Sequence, residues 1–480
     1  MLPVKSSVTA RLWPKVTVYV PSHDYGRYLQ QCLSSLARQT FLNWDAIIID
    51  DASVDDTAAI AAAFSESLPG QVQVIRNSEQ KGLRVAANTA LEAARGEYLM
   101  RLDADDWLDE NALLVLSNFL DLHPEVGLVY PNWTFVDEGG GIIGQDIRAR
   151  LSVNGQLPDL PAHGACTMVR RRVLKAIGGY DFDVDAQDGH ELWLKTLYRH
   201  GVANVETHLF FYRQHSDSLS RDEDRLLASR REIKRRAAAA GRGPVAPRVV
   251  VIVPVKNTYA HFNNLALAPL AGLPLLDYTL NTVAVDRRFA TVLVATDDPA
   301  VVHHCVQRGD VRAYLRDAAL SDPINGIPDV IADALRYLMV HMGMDPDILV
   351  VLSAHTPLRR TEHIQEAIDT LLLYSVDQVV STWEDRDLHY RHGAQGMQAV
   401  NAGQISDTRY EREALYACNG SIHVLWKESV SPERFLKGRI GHIVMTRTES
   451  LVAKKPEERR LLELLLAAGT VEAPSLGPHL

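Results

Sequence analysis

A chain of 480 residues exceeds what one hydrophobic core organises, so two domains are expected. An apolar fraction of 46% with 23% charged residues belongs to a globular protein and excludes wholesale disorder. The net charge of −10 excludes a general nucleic-acid binder held by phosphate neutralisation, although a metal could still bridge to an anionic substrate.

Cys32, Cys166, Cys305 and Cys418 are widely scattered, without the paired spacing of a zinc site or a disulfide framework, so a reducing, cytoplasmic setting is expected. The opening Met1-Leu-Pro-Val-Lys-Ser-Ser lacks the apolar core of a signal peptide. No later run approaches the ~20 apolar residues that span a bilayer, so any membrane contact is expected to be peripheral, at the inner face.

The β-branched run Val16 to Val20 predicts a strand ending at Pro21-Ser22, followed by a helix with Leu29, Cys32, Leu33 and Leu36 on one face. The alternation continues through Ala46 to Asp50 (strand), Ala58 to Phe64 (helix), Val72 to Ile75 (strand), Ala86 to Ala94 (helix) and Tyr98 to Leu102 (strand). Such alternation predicts a parallel sheet covered by helices. A charged helix over Arg221 to Arg236 runs into Ala237-Ala-Ala-Ala-Gly-Arg-Gly-Pro-Val-Ala-Pro247, a natural linker, so domains are expected at 1–236 and 249–480, joined by 237–248. A second α/β cycle opens at Val249 to Val253 and adds strands at Thr291 to Ala295, Ile348 to Leu352 and Gln378 to Thr382, with helices over Asp329 to Met342 and Glu362 to Leu373.

Ligands of open parallel sheets bind beyond the carboxyl ends of the strands. In the first domain those positions read Ser22-His-Asp24, Asp50-Asp51-Ala-Ser53, Asn77 with Lys81-Gly82, and Asp103-Ala-Asp105-Asp106. Strand alternation would put Asp103 and Asp105 on one side, where two carboxylates can share a hard divalent cation, Mg2+ or Mn2+, that also binds a diphosphate. The competing expectation is a helix N-cap cluster before Leu108 to Leu120.

Residues 15 to about 220 resemble a family 2 glycosyltransferase of the GT-A fold. The resemblance lies in Val20-Pro-Ser-His-Asp-Tyr-Gly-Arg-Tyr-Leu29, Ile49-Asp-Asp-Ala-Ser-Val-Asp-Asp-Thr57, Asn77 with Gly82 and Asn88, Gly96-Glu-Tyr98, and Asp103-x-Asp105, in that order. It implies that Ser22 and Asp24 lie along the nucleoside, that Asp51 contacts base or ribose, and that Lys81 lies near the donor phosphates. Asp103 and Asp105 would hold nucleotide and metal. The run Gln187-Asp-Gly-His-Glu-Leu-Trp-Leu194 resembles the family's acidic segment, which makes Asp188 the expected base of an inverting transfer, with Glu191 the weaker choice and Gln187 standing where the family usually has glutamate. Phe210-Phe-Tyr-Arg-Gln-His215 matches the closing segment and makes His215 the candidate third metal ligand; the bland alternative is a structural histidine.

Residues 249 to about 460 resemble the acylneuraminate cytidylyltransferases through Val253-Pro254, Pro269-Leu-Ala-Gly-Leu-Pro-Leu-Leu276, Val294-Ala-Thr-Asp-Asp298, Thr356-Pro-Leu-Arg359 and Asn419-Gly-Ser-Ile422. That family needs a basic Gly-rich loop after its first strand; here the chain reads Pro254-Val-Lys-Asn-Thr-Tyr-Ala-His-Phe262. The family's late metal pair aligns with Met445 and Arg447, neither of which can replace a carboxylate at magnesium. The expectation is therefore an α/β chain of two nucleotide-diphospho-sugar transferase-like (Rossmann-type, GT-A) domains in tandem. The first would be an inverting, metal-dependent glycosyltransferase that moves a sugar from a nucleotide-sugar donor to a hydroxyl of a glycan or other acceptor. The second would be a degenerate module. A bifunctional enzyme that also makes a CMP-sugar, and a non-catalytic scaffold, are the competing readings.

Overall fold

The computed structural model describes residues 13–146, 163–181, 187–197, 199–215, 222–241, 246–259, 262–284, 286–322, 326–403, 412–431 and 433–469. It divides into two compact units, Met1–Arg230 with Asp387–Glu413, and Arg231–Arg386 with Ala414–Leu480.

The first unit opens with β1 (Val16–Ser22), α1 (Gly26–Ala37), β2 (Trp44–Asp50), α2 (Thr57–Ser67), β3 (Val72–Arg76), α3 (Leu83–Ala93) and β4 (Tyr98–Arg101). It continues with β5 (Trp107–Leu108), α4 (Ala112–Leu122), β6 (Val126–Val136), β7 (Ile142–Asp146), β8 (Met168–Arg170), α5 (Arg171–Ala176), α6 (Asp188–Leu197) and β9 (Gly201–Arg213). The helix α7 (Glu223–Ala240) contains the division between units and extends into the segment read as a linker.

The sheet order is β3-β2-β1-β4-β8-β6-β9-β5, with β7 beside β6. Strands β1 to β4 pair in parallel, as the βα alternation requires. The other half departs from the all-parallel expectation: β8 runs antiparallel to both β4 and β6, and β6 pairs in parallel with β9. Within that half, β6 is buried along its whole length and accommodates Pro131 where its register with β9 shifts.

Because β2 and β3 lie on one side of β1 and β4 on the other, the chain reverses direction across the sheet between β1 and β4. Their carboxyl ends diverge there and leave the crevice in which α/β sheets bind ligands. The core beneath is built by Val16, Val18 and Val20 of β1 against Leu29, Cys32, Leu33 and Leu36 of α1, all fully buried.

The second unit begins with β10 (Val249–Val255), then two short ladders, β11 (Thr258–Tyr259) with β12 (Phe262–Asn263) and β13 (Pro269–Leu270) with β14 (Leu273–Pro274). There follow α8 (Leu275–Ala284), β15 (Phe289–Thr296), α9 (Pro299–Arg308), β16 (Arg312–Leu315), α10 (Ile327–His341), β17 (Ile348–Leu352), α11 (Thr361–Tyr374) and β18 (Gln378–Asp385). The chain closes with the hairpin β19 (Tyr390–Gly393) and β20 (Gly396–Ala399), then β21 (Leu415–Trp426), β22 (Ile440–Val444) and α12 (Pro456–Ala467). The hairpin belongs to the first unit. The sheet order β16-β15-β10-β17-β21-β18-β22 repeats the plan of the first, with β10 flanked by β15 and β17 in parallel and β21 antiparallel to β17. Each unit thus has an α/β, nucleotide-diphospho-sugar transferase-like sheet, and among the described residues no helix is long and apolar enough to cross a membrane.

Candidate functional site

The acidic run lies just past β4. Strand alternation does not bring its carboxylates together, contrary to the sequence expectation: β4 ends at Arg101, and residues 103–106 form a turn closed by Asp106 N–H on the Asp103 carbonyl at 3.1 Å. The turn gathers Asp103, Asp105 and Asp106 so that one oxygen from each lies within 4.8 Å of the others.

Each carboxylate already has a defined environment. Asp103 is gripped by Arg101, Nε to Oδ1 at 2.5 Å and Nη2 to Oδ2 at 2.7 Å. Asp105 Oδ2 lies 3.0 Å from His215 Nε2, and the Asp105 carbonyl accepts from Arg213 Nε at 2.8 Å. Asp106 is buried; its Oδ1 accepts the Arg213 N–H at 2.8 Å, while Oδ2 makes no hydrogen bond among the described residues. Burial first, and then the charges of Asp105 and Asp103, raise its pKa well above the carboxylate range. Burial, and then the charges of Asp106, Asp105 and Asp103, raise the thiol of Cys32 beneath the turn.

His215 is buried between Tyr25 and Tyr28, with ring centroids 5.8 and 5.4 Å away. Its Nε2 faces Asp105, and Asp106 joins Asp103 and Asp105 as the third member of the carboxylate group that could hold a metal ion. The adjacency of Asp105 and Asp106 was the available signal for that third member. Arg213, in the same closing segment, makes contacts that its sequence context does not reveal. It is fully buried, its guanidinium lies over the rings of Tyr28 and Trp107 at 4.6 and 4.9 Å, and it donates to Gln31 at 2.7 Å, pinning the end of β9 to the acidic turn.

A second group sits at the ends of β1 and β2. Ser22 is buried and its hydroxyl has no hydrogen-bond partner among the described residues. Asp24 adopts φ +57° and accepts the Val54 N–H at 2.8 Å, while its own N–H donates to Ser53 at 3.1 Å. Asp51 accepts from Asn77 Nδ2 at 2.7 Å, from Lys81 N–H at 2.9 Å and from Gly82 N–H at 2.7 Å. Burial raises the Asp51 carboxyl, yet these donors outweigh it and hold the pKa below the usual value. Gly82, at φ +84°, makes the turn that aims both N–H groups. Asp51 therefore serves as the anchor of the 81–82 loop, and the side chain of Lys81 is left exposed.

The third group surrounds α6. Asp188 is its first residue and follows Gln187, which adopts φ +59°; the Asp188 side chain, Phe182-Asp183 and residues 216–220 lie outside the described residues. Glu191, one turn on, is buried, and burial, the largest effect, raises its pKa despite a bond from Lys195 at 2.6 Å.

Residues 17–178 match the family model described as Glycosyl transferase family 2. The first unit carries a glycosyltransferase domain of this family. Residues 250–393 match the Cytidylyltransferase model, so the chain is a transferase fused to a cytidylyltransferase domain. An Escherichia coli UDP-Glc:alpha-D-GlcNAc-diphosphoundecaprenol beta-1,3-glucosyltransferase is 26% identical over 191 residues, covering 40% of this chain and 72% of the relative. A putative glycosyltransferase of Bacillus subtilis is 28% identical over 218 residues, covering 43% of this chain and 76% of the relative. Among solved structures, S. aureus TarS with UDP gives a TM-score of 0.38 at 19% identity, over 47% of this chain and 64% of that one. A Pyrobaculum calidifontis mannosyltransferase with GDP-Man and Mn2+ gives 0.39 at 21% identity, over 49% and 67%. The chain spans about two thirds of those solved chains, and the fold assignment rests on the strand order itself.

In the second unit, Lys256 follows β10, while Met445, fully buried at the end of β22, accepts a contact from Asn419 Nδ2 at 3.4 Å through its sulfur. Arg447 lies over the ring of Trp383 at 4.5 Å. Ser353 closes β17 through its N–H on the Ser421 carbonyl at 3.1 Å. Arg359 is buried and, among the described residues, bonds only the neutral groups of Thr279, Ser353, Thr356 and Ser421; burial brings its pKa down to about 9.

Proposed function

We propose that the first unit is an inverting glycosyltransferase that takes its sugar from a nucleotide-sugar, with a divalent cation, in the synthesis of a bacterial-type surface glycan or glycosylated metabolite. The observation that carries this is the trio Asp103, Asp105 and Asp106, gathered within 4.8 Å at the switch point of a family 2 domain. Three carboxylates with an unsatisfied buried oxygen fit Mg2+ or Mn2+, which are hard cations that take oxygen ligands. Such an ion supplies charge neutralisation for the leaving diphosphate.

The chain's own residues do the rest. Asp103, Asp105 and Asp106 would hold the ion; Arg101 and His215 keep two of these carboxylates oriented; and Ser22, Asp24 and the loop pinned by Asp51 would line the nucleoside. Lys81, exposed on that loop, would reach the phosphates. At the amino end of α6, Asp188 would accept the proton of the acceptor hydroxyl as its oxygen attacks the anomeric carbon from the face opposite the diphosphate. The second unit is read as a module that has lost nucleotidyl transfer. A buried methionine and a ring-stacked arginine stand where its relatives need carboxylates, and a binding or orienting role remains.

The test is a thermal-shift screen of UDP-, GDP- and CMP-sugars with Mn2+, followed by donor turnover in Asp103→Ala and Asp188→Asn. Stabilisation by a nucleotide-sugar that needs both Mn2+ and Asp103, with turnover lost in both variants, is expected. Unchanged turnover in both would remove the site assignment. Pyrophosphate release from CTP with a sialic-acid-like sugar and magnesium would overturn the reading of the second unit.

A further inference from the structure

Glu191, the weaker choice of base, is a buried carboxylate tied into a cluster of cations. It is 4% exposed, and its Oε1 accepts the Asp181 N–H at 3.1 Å and Lys195 Nζ at 2.6 Å. Its Oε2 lies 3.7 Å from Arg84 Nη1. Lys195 also bonds Asp181 Oδ1 at 2.6 Å and the Gly179 carbonyl at 3.3 Å, while Arg84 donates to the Asp181 carbonyl.

Three pieces of chain therefore meet on one side chain: α6, the 179–181 segment, and α3, which contributes Arg84. The union is reinforced from α3 by Asn88, which accepts the Tyr180 N–H at 3.0 Å and donates to its carbonyl at 2.8 Å. The start of α3 is in turn held to the donor side, because the N–H groups of Lys81 and Gly82 bind Asp51.

A buried ion cluster contributes little net stability, since desolvation offsets most of its attraction. What it fixes is geometry. The first turn of α6 follows the left-handed Gln187 and is joined to it by the Glu191 N–H on the Gln187 carbonyl at 3.2 Å. The placement of Asp188 thus depends on what holds the next turn down.

We propose that Glu191, with Lys195 and Arg84, is a positioning residue that locks the first turn of α6 against α3 and so presents Asp188 to the acceptor hydroxyl. This rests on the reading of Asp188 as the base. A displacement of about 1 Å at a reacting group can cost on the order of 100-fold in rate while leaving binding intact.

The experiment uses the full chain and water as acceptor: hydrolysis of whichever sugar of a UDP-glucose, UDP-GlcNAc and GDP-mannose panel most stabilises the wild type in Mn2+. Glu191→Gln, Lys195→Met and Asp188→Asn are compared for kcat, donor Kd and Tm. Glu191→Gln and Lys195→Met are each expected to lower kcat about 10- to 100-fold with donor Kd within about twofold. If Glu191→Gln does not fold, Lys195→Met carries the same expectation. Wild-type kcat in these two variants, with turnover lost in Asp188→Asn, would overturn the positioning role alone. A fall of kcat, affinity and Tm together would mark a merely structural residue and overturn it as well. Turnover retained in Asp188→Asn would instead remove the base assignment.

Discussion

Arg101 grips Asp103 through two parallel bonds, Nε to Oδ1 at 2.5 Å and Nη2 to Oδ2 at 2.7 Å, at the turn where three carboxylates converge. A forked guanidinium is the protein's strongest carboxylate partner, and it offsets the repulsion that Asp103 would otherwise exert on Asp105 and Asp106.

Arg101→Met should therefore leave the trio uncompensated. The expected loss is on the order of 1–3 kcal/mol of stability in chelator, with part of it regained on adding Mn2+, because a divalent cation then supplies the missing positive charge. Thermal denaturation with and without Mn2+ measures both. A variant as stable as the wild type in chelator would show that Arg101 is not the counterion of this cluster.

Asp51 makes a prediction with a definite sign. Its folded pKa lies below the ordinary carboxylate value, so the unfolded state binds a proton first as the solution acidifies. The stability it contributes is present above about pH 4, the unfolded carboxylate value, and is lost as pH falls through the lower folded value. Asp51→Asn should unfold more readily at neutral pH and show a flatter dependence of Tm on pH at the acid end. It should also weaken nucleotide-sugar binding, since the 81–82 loop loses its anchor. Equal slopes for variant and wild type would refute the assignment.

Much of this was legible in the chain. The β-branched runs at Val16 and Val249 marked the central strand of each sheet, and the polar residues after β1, β2 and β4 marked the crevice, because strand ends in α/β sheets carry little else than site chemistry. The antiparallel half escaped. Strand β6 carries Pro131 in its middle and β9 crosses it with three register shifts, so neither shows a clean period. One long-range partner was equally hidden: the resemblance of the closing segment put His215 near the acidic run, but nothing near Asp103 in sequence says that Arg213 will bond the Asp105 carbonyl, since that contact is made by the far end of β9.

In the second unit, burial lowers His423 to about 4, and burial followed by the charges of Lys454 and Lys256 lowers His355 to about 3. Both are neutral in the fold and take up protons on unfolding below about pH 6.5. Stability should accordingly fall with pH from about 6.5 downward, by roughly 1.4 kcal/mol per pH unit for each histidine until the folded values are reached. His423 Nε2 donates to Gln378 Oε1 at 2.9 Å, so His423→Gln, which keeps a polar partner but not the titration, should lessen the slope of denaturation midpoint between pH 6 and pH 4. An unchanged slope would contradict it.

Met445 offers the sharpest test of the proposal that the second unit no longer performs nucleotidyl transfer. Its backbone N–H bonds the Thr382 carbonyl at 2.8 Å, its side chain is fully buried, and the neighbouring Asn419 is committed to it and to Ser450 at 2.8 Å. Restoring carboxylates by Met445→Asp with Arg447→Asp would put one of them into an apolar pocket and remove the guanidinium that covers Trp383. Burying an unpaired carboxylate costs on the order of several kcal/mol unless the group neutralises. The double variant should therefore be destabilised and still release no pyrophosphate from CTP, because the loop after β10 lacks the glycines and the second cation that a triphosphate needs. Recovery of CTP turnover by these two changes alone would show that the loop is sufficient and that only the metal pair was missing.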